Sequence, residues 1–227
     1  MRGLALALPV LFLALSLDRV LPEKPSAPAP RRNVVLAAEA VPSFPVMNSG
    51  RLGRPGNPLN LVFVGTEVAV REALEGSGWT EVPATIREST YQGLRELVSG
   101  RALSAFPPMN EYWLDGRRQD MNWAIATKPL TARHHFRLWD TGLRDGRGRA
   151  IWWGAGDYDL KLRLYDLSHV RDPNLDGERD WIAASLKDSP RFKSAALVDV
   201  PGIPREGAND KGYKFFTDGK AVLIELE

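Results

Sequence analysis

Two aromatic-rich runs joined by a short polar loop constrain the fold of this 227-residue chain more than any other feature. The first run, RHHFRLW, ends at Trp139, and the second, IWWGAGDYD, begins at Ile151. Between them lies Asp145-Gly146, a dipeptide typical of tight β-turns. Aromatic and β-branched residues on both sides of a turn predict an antiparallel hairpin, around which we expect the rest of the fold to be arranged.

A two-residue turn at Asp145-Gly146 would set the register of this hairpin and divide its side chains between two faces. Trp139 would pair with Trp152, and Arg133 with Tyr158. Glycine within a strand often marks the close approach of a ligand, so Gly154 and Gly156 would form the floor of a shallow anion site. The predicted ligand-binding residues on this face are Arg133, His135, Arg137, Trp139, Trp152 and Tyr158. A wider loop would shift the register by one residue and exchange the faces.

The opposite face would be core. In this register His134 lies opposite Asp157, and we expect a core histidine bonded to that aspartate. Adjacent histidines in a strand point to opposite faces, and no His-Glu-x-x-His motif is present, so neither a metal site nor a cofactor is predicted. Stacking of arginine on tryptophan, without a ligand, is the alternative explanation for the polar face.

Composition narrows the possible functions. The chain has no cysteine, which excludes disulfides, thiol catalysis and cysteine-bound metals. Its 30 basic residues are dispersed and matched by 28 acidic ones, leaving a net charge of +2. Without a basic stripe that would follow a phosphate backbone, no nucleic-acid partner is predicted.

The chain divides into three parts. Residues 1–17 form an apolar run of the length of a signal-peptide core, predicting a signal peptide or an N-terminal membrane anchor. Residues 18–58 are proline-rich and predict a linker or extended arm. Residues 59–227 form the folded domain. We therefore expect an exported protein, periplasmic or membrane-anchored, with this domain outside the cytoplasm.

Helix signals alternate with hairpins in the folded domain. Thr66 is expected to cap a helix that ends near Gly76, and Ser89 a second helix that ends at Gly100. Asp172 is the expected N-cap of a third helix, with Pro173 at its first position. With about seven strands, several of them linked by hairpins, the predicted fold is α+β: a largely antiparallel sheet with about three helices packed on one face.

The third predicted helix supplies a possible acid–base site. His169 precedes it, and Asp176 and Asp180 lie four residues apart on it. A histidine with a carboxylate partner can transfer protons near neutral pH, so these three are the catalytic candidates. Helix capping and a structural ion-pair network are the alternative, favoured explanation of the acids. No Gly-x-Ser-x-Gly motif is present, which disfavours a serine hydrolase.

Several motifs between about Pro58 and Leu226 together resemble the C-terminal domain of LssY. They include NEYWLDGRRQDMNWA, RHHFRLW, IWWGAGDYD and HVRDPNLDGERDWI, in that order. The residues that carry the resemblance are Gly116, Arg117, Gln119, Asp120, Arg133, His134, His135, Asp172, Pro173, Asp176, Glu178, Arg179 and Asp180. Domains of this kind are attached to bacterial integral-membrane proteins, some with a lipid-phosphatase-like part, or occur as short exported proteins. The resemblance implies a setting in the bacterial envelope and no particular activity.

Three hypotheses follow. The first is a binding module for an anionic, phosphorylated or carboxylated envelope ligand, either a small molecule or a lipid head group. The second is a hydrolase of phosphoester-type bonds with a His/Asp site. The third is a protein–protein interaction domain of a membrane complex, which would present Trp139 and Trp152 as an exposed patch.

Overall fold

The structure of the chain is a computed structural model. The structure describes residues 45–83, 109–128, 132–162 and 169–227, the strand Arg32–Asn33 and parts of a helical stretch between residues 87 and 98. The predicted leader, residues 1–17, lies outside the described residues. No helix within the described ranges is both long enough and apolar enough to cross a membrane.

A nine-stranded sheet is the centre of the described structure. Its strands are β1 (Arg32–Asn33), β4 (Leu61–Val64), β5 (Thr80–Val82), β8 (Met121–Lys128), β9 (Ala132–Arg144), β10 (Ala150–Leu162), β11 (His169–Arg171), β12 (Phe192–Asp199) and β15 (Lys220–Leu226). Seven of them lie in the order β12-β15-β4-β10-β9-β8-β5, while β1 pairs with β9 and β11 with β10. The predicted hairpin is the β9–β10 pair in the middle of this order, and β4 is parallel to β15.

Two smaller sheets accompany the central one. Their strands are β2 (Met47–Ser49), β3 (Pro55–Pro58), β6 (Trp113–Leu114), β7 (Arg117–Arg118), β13 (Glu206–Ala208) and β14 (Lys214–Phe216). One sheet has the order β3-β2-β6-β7, and the other pairs β13 with β14. Residues 47–58, assigned to the linker from the sequence, therefore supply two strands, and they bring Asn57 into contact with β10.

Two helices are described in full. Helix α1 (Glu67–Gly76) begins as predicted, because the Thr66 hydroxyl accepts a hydrogen bond from the backbone N–H of Ala69 at 3.1 Å. Helix α2 (Leu175–Ser185) begins later than predicted. Its N-cap is Asn174, whose side chain accepts from the Gly177 N–H at 3.1 Å, whereas Asp172 accepts from the Asn174 N–H at 2.9 Å and stays outside the helix.

The central sheet has a core on each face. On one face, both helices pack on residues such as Phe63, Phe136 and Trp152. On the other face, Tyr112 and Leu114 lie with Val62, Trp139 and Trp153. The middle strands are therefore covered on both faces.

The predicted α+β class, with about three helices on one face, is wrong. Among the described residues the protein is mostly β, with 49% in strands and 19% in helices. The second predicted helix lies largely outside the described residues, and two of its described residues, Tyr91 and Val98, are exposed. The class differs because loops and small strands, and not helices, cover the second face of the sheet.

Candidate functional site

The loop of the central hairpin is longer than predicted, and the register changes with it. Arg144 pairs with Ala150, and a five-residue loop, 145–149, connects them. The Asp145 carboxylate holds this loop by accepting from the backbone N–H groups of Arg147 at 3.0 Å and Arg149 at 2.8 Å. A β-bulge after Ala150 completes the shift. The predicted two-residue turn is wrong, and the pairing is displaced by one residue.

The shifted register divides the predicted ligand-binding residues between two faces. Arg133, His135, Arg137 and Trp139 share a face, but Trp152 and Tyr158 lie on the other one. The residues paired with Arg133, His135, Arg137 and Trp139 are, in that order, Asp159, Asp157, Ala155 and Trp153. Both Trp139 and Trp152 are buried, so they form no exposed patch.

The predicted glycine floor is also wrong. A Cβ atom on Gly154 would lie 2.9 Å from side-chain atoms of Leu138 and Leu61, and one on Gly156 would lie 2.6 Å from Cδ1 of Ile182. These glycines therefore allow close packing of the core beneath the helices.

Charged side chains from three adjacent strands meet on the other face of the sheet. We call this group the buried charge cluster: Arg133, His135, Arg137, Asp157, Asp159 and Arg171. Their side chains are at most 8% exposed. Strand β9 supplies the first three, β10 the aspartates, and β11 supplies Arg171 by pairing it with Asp159.

Asp157 lies at the centre of the cluster. Its Oδ1 is 3.1 Å from Nη1 of Arg171 and 3.2 Å from Nε2 of His135. Its Oδ2 accepts from the Asn57 amide at 2.6 Å and lies 3.9 Å from Nη1 of Arg137. Burial opposes ionisation, but the basic neighbours, Arg171 foremost, outweigh it and hold the pKa of Asp157 below its ordinary value.

Asp159 forms the outer part of the cluster. Nε of Arg133 donates to its Oδ2 at 3.3 Å, and Nε of Arg171 lies 3.7 Å from its Oδ1. Although burial raises the pKa of Asp159, His135 and the arginines lower it further than burial raises it. Nε2 of His169 is 3.9 Å from Oδ2, and burial lowers the pKa of His169 to about 4 despite this carboxylate.

Aromatic rings and loop residues hold two of the arginines. The guanidinium of Arg137 lies 4.8 Å from the centre of the Tyr112 ring, and its Nε donates to the Asn110 carbonyl at 3.1 Å. Arg171 lies 5.0 Å from the Tyr213 ring centre. Cation–π contacts orient these guanidinium groups without using their N–H donors.

Several polar atoms of the cluster lack a hydrogen-bond partner within the described residues. Six such buried side-chain atoms belong to the cluster: His135 Nδ1, Arg137 Nη1, Asp157 Oδ1, Asp159 Oδ1, and Nε and Nη1 of Arg171. Buried polar groups in native proteins are usually hydrogen-bonded, so a concentration of unmatched donors and acceptors marks a position where a ligand can bind.

His134 belongs to a different site from the one predicted. It lies on the helix side, where its Nδ1 is 2.5 Å from Oε2 of Glu178 and its ring stacks on Trp181 and Tyr158. Burial lowers the pKa of His134 to about 4 and raises that of Glu178 well above its ordinary value. Both shifts favour the uncharged forms of the imidazole and the carboxyl, which share one hydrogen bond. The predicted pairing of His134 with Asp157 is therefore wrong.

The predicted catalytic group is not assembled. Asp176, Asp180 and Asp218 all bind the buried guanidinium of Arg179, at 3.2, 2.8 and 2.7 Å. In the chain as described, His169 makes no ion pair with Asp176 or Asp180. The structural ion-pair interpretation of Asp180 is confirmed, with Arg179 as its partner.

Sequence reasoning left Asp157, Asp159 and Arg171 out of the predicted site, and it missed two residues that contact the buried charge cluster, Asn57 and Tyr112. Arg171 lies two residues after His169 in the motif HVRDPNLDGERDWI, and the resemblance was the only signal that pointed to it. Asn57 lies in the stretch assigned to the linker, and Tyr112 precedes a hairpin, so neither carried a functional signal.

Comparison with known proteins gives one result. No curated protein and no solved structure matches the chain. A family model described as LssY C-terminus matches residues 39–221, which include every residue of the buried charge cluster. Because this match covers most of the chain, the protein belongs to the LssY C-terminus family.

Proposed function

We propose that this domain binds an anionic ligand, through a phosphate or carboxylate group, at the buried charge cluster. One observation carries the proposal: three guanidinium groups face two carboxylates, and N–H donors of Arg137 and Arg171 have no hydrogen-bond partner among the described residues. The three guanidinium groups outnumber the two carboxylates, and an anion would relieve both this excess of buried positive charge and the missing hydrogen bonds. Arginine suits this role because its planar donors match phosphate and carboxylate oxygens.

The ligand would approach the cluster from the side of Asp159, where the partly exposed His169 lies. His169 has 18% of its side chain exposed, and Arg133 and Arg171 have 8% each, whereas His135 and Arg137 are almost fully buried. The anionic group would therefore reach Arg133 and Arg171 first, while a larger remainder of the ligand stays outside. This geometry suits a terminal phosphate or carboxylate.

We further propose that the ligand is an envelope component and that the domain works outside the cytoplasm. The apolar run in residues 1–17 supports this location. Protease treatment of spheroplasts tests it: an exported domain is digested in intact spheroplasts, whereas a cytoplasmic one is digested only after lysis.

Calorimetric titration of the full chain with inorganic phosphate tests the binding. We expect saturable binding that Arg171→Gln weakens at least about tenfold, because a charge-assisted contact contributes roughly 1.5–3 kcal/mol. Arg191→Gln is the matched control, since Arg191 is an exposed residue bound to Glu72. No binding by the wild type, or equal affinities in the two variants, would refute the proposal.

Two further titrations separate the ligand classes. Acetate tests whether a carboxylate suffices, and glycerol phosphate tests whether a monoester resembling a lipid head group binds more tightly than free phosphate. Because the proposed ligand carries a terminal phosphate whose remainder stays outside the cluster, we expect glycerol phosphate to bind at least as tightly as phosphate.

A further inference from the structure

We infer that the buried charge cluster also binds a divalent cation, through His135, Asp157 and Asp159, when an anion occupies the neighbouring arginines. The anion part of this inference rests on the proposed function. The cation part rests on separate atoms, which the anion would not contact.

The first observation is the geometry of three potential ligands. One ligand atom from each of His135, Asp157 and Asp159 lies within 4.8 Å of the others, and all three residues are buried. They come from adjacent strands of the sheet, with His135 directly opposite Asp157. One imidazole nitrogen with carboxylate oxygens suits ions such as Mn²⁺ or Zn²⁺.

The second observation is that these side chains have unused bonding capacity. Nδ1 of His135, Oδ1 of Asp157 and Oδ1 of Asp159 have no hydrogen-bond partner within the described part of the chain. The two carboxylate oxygens do lie in ion-pair contact with Arg171, at 3.1 and 3.7 Å. Each residue is at most 2% exposed. An anion can satisfy the arginine donors but cannot satisfy carboxylate oxygens, which need a cation or a proton donor.

The charge of the cluster then determines when the cation binds. With three arginines around two aspartates, a cation alone would add to a positive excess. A phosphate on Arg133 and Arg171 removes that excess and can supply further oxygen ligands. Cation and phosphate should therefore strengthen each other's binding, and thermodynamic linkage requires the two effects to be equal.

The experiment uses the full chain, freed of metal with a chelator, and Mn²⁺ as the probe. Binding is followed by loss of the electron paramagnetic resonance signal of free Mn²⁺, with and without inorganic phosphate. We expect phosphate to tighten Mn²⁺ binding at least about tenfold, within the usual range of coupling between sites. Bound Mn²⁺ should also accelerate the ³¹P relaxation of phosphate, because the two ions are adjacent.

Two neighbouring residues provide matched variants. His135→Gln removes the proposed ligand, while His134→Gln makes the same change on the opposite face, beside Glu178. We expect the first variant to lose phosphate-dependent Mn²⁺ binding and the second to keep it, with folding of both checked by circular dichroism. The ³¹P measurement on the wild type needs no variant, so misfolding cannot decide the result.

The outcomes separate the two proposals. If phosphate binds but Mn²⁺ changes neither the affinity for phosphate nor the ³¹P relaxation of phosphate, the cation site is refuted and the proposed function stands. If phosphate binds neither with nor without Mn²⁺, the proposed function fails and the coupling fails with it. Equal Mn²⁺ binding by the wild type and His135→Gln refutes the assigned ligands.

Discussion

His134 and His135 are adjacent in the chain but bind carboxylates on opposite faces of the central sheet. Nδ1 of His134 lies 2.5 Å from Glu178, and Nε2 of His135 lies 3.2 Å from Asp157. Strand alternation separates the two rings, so one histidine joins the helix side of the core and the other joins the buried charge cluster. The two positions can therefore be changed independently.

Replacing Glu178 with glutamine should stabilise the protein increasingly as the pH rises. Burial raises the pKa of Glu178, so the folded state keeps a proton that the unfolded state releases above about pH 4.3. Wild-type stability therefore contains a contribution that decreases with rising pH, by up to about 1.4 kcal/mol per pH unit, until the folded pKa is reached. Glutamine cannot ionise, and its amide can still donate to His134.

Chemical unfolding of wild type and Glu178→Gln from pH 5 to pH 8 measures this difference. The exposed Glu75 is the control, and Glu75→Gln should show no such trend. A constant difference between wild type and Glu178→Gln across this range would mean that Glu178 is ionised in the folded protein.

The hairpin shows how far the sequence predicts this fold. Aromatic and β-branched runs around Asp145-Gly146 correctly predicted strands β9 and β10, because that signal is local. The register depended on whether the Asp145 carboxylate binds the N–H groups of Arg147 and Arg149, and similar turn signals fit either loop. The five-residue loop and the bulge displaced the pairing by one residue. Asp157 and Asp159, and not Trp152 and Tyr158, therefore lie on the arginine-bearing face.

Contacts without a local signal were missed. Arg171 reaches the buried charge cluster because β11 pairs with β10, and Asn57 reaches it because a strand from the proline-rich stretch packs there. Each contact depends on which strands pair or pack together, and the local sequence does not specify that. The predicted site therefore contained Arg133, His135 and Arg137 but lacked the carboxylates that surround them.

Replacing Asp157 with asparagine should destabilise the protein by about 3–5 kcal/mol at neutral pH, because it leaves the buried Arg171 with a weaker counter-charge. The pKa of Asp157 is lowered in the folded state, so its contribution is complete above the unfolded pKa of about 3.9 and is lost as the pH falls through the folded value. The difference between variant and wild type should therefore shrink below about pH 4.

Urea unfolding at pH 7 and at low pH measures this effect. Asp199→Asn is the control. Asp199 is exposed and its ion pair, at 3.6 Å, is with the partly exposed Lys220, so this replacement should change the free energy of unfolding by less than about 1 kcal/mol. A similarly small effect of Asp157→Asn would show that the carboxylate is dispensable to the fold.

Adding a methyl group at Gly154 should reduce stability without affecting phosphate binding. Its Cβ would meet Leu61 and Leu138 at 2.9 Å, and overpacking of this kind costs about 1–3 kcal/mol. Gly76→Ala is the control, since nothing lies within 4 Å of its added Cβ. Thermal unfolding measures the stability of both variants, and titration measures their affinity for phosphate. Loss of phosphate binding in a folded Gly154→Ala variant would restore the glycine-floored site.

Asp180→Asn should leave both stability and phosphate affinity almost unchanged, whereas Arg179→Ala should reduce stability alone. Asp180 is 60% exposed and is one of three acids on Arg179, so its loss should cost less than about 1 kcal/mol. Removing the buried guanidinium leaves Asp176 and Asp218 without their cation and should cost roughly 3 kcal/mol. Urea unfolding and phosphate titration measure both effects. Weaker phosphate binding by a stable Asp180→Asn variant would return Asp180 to the functional site, against the placement of that site at the buried charge cluster.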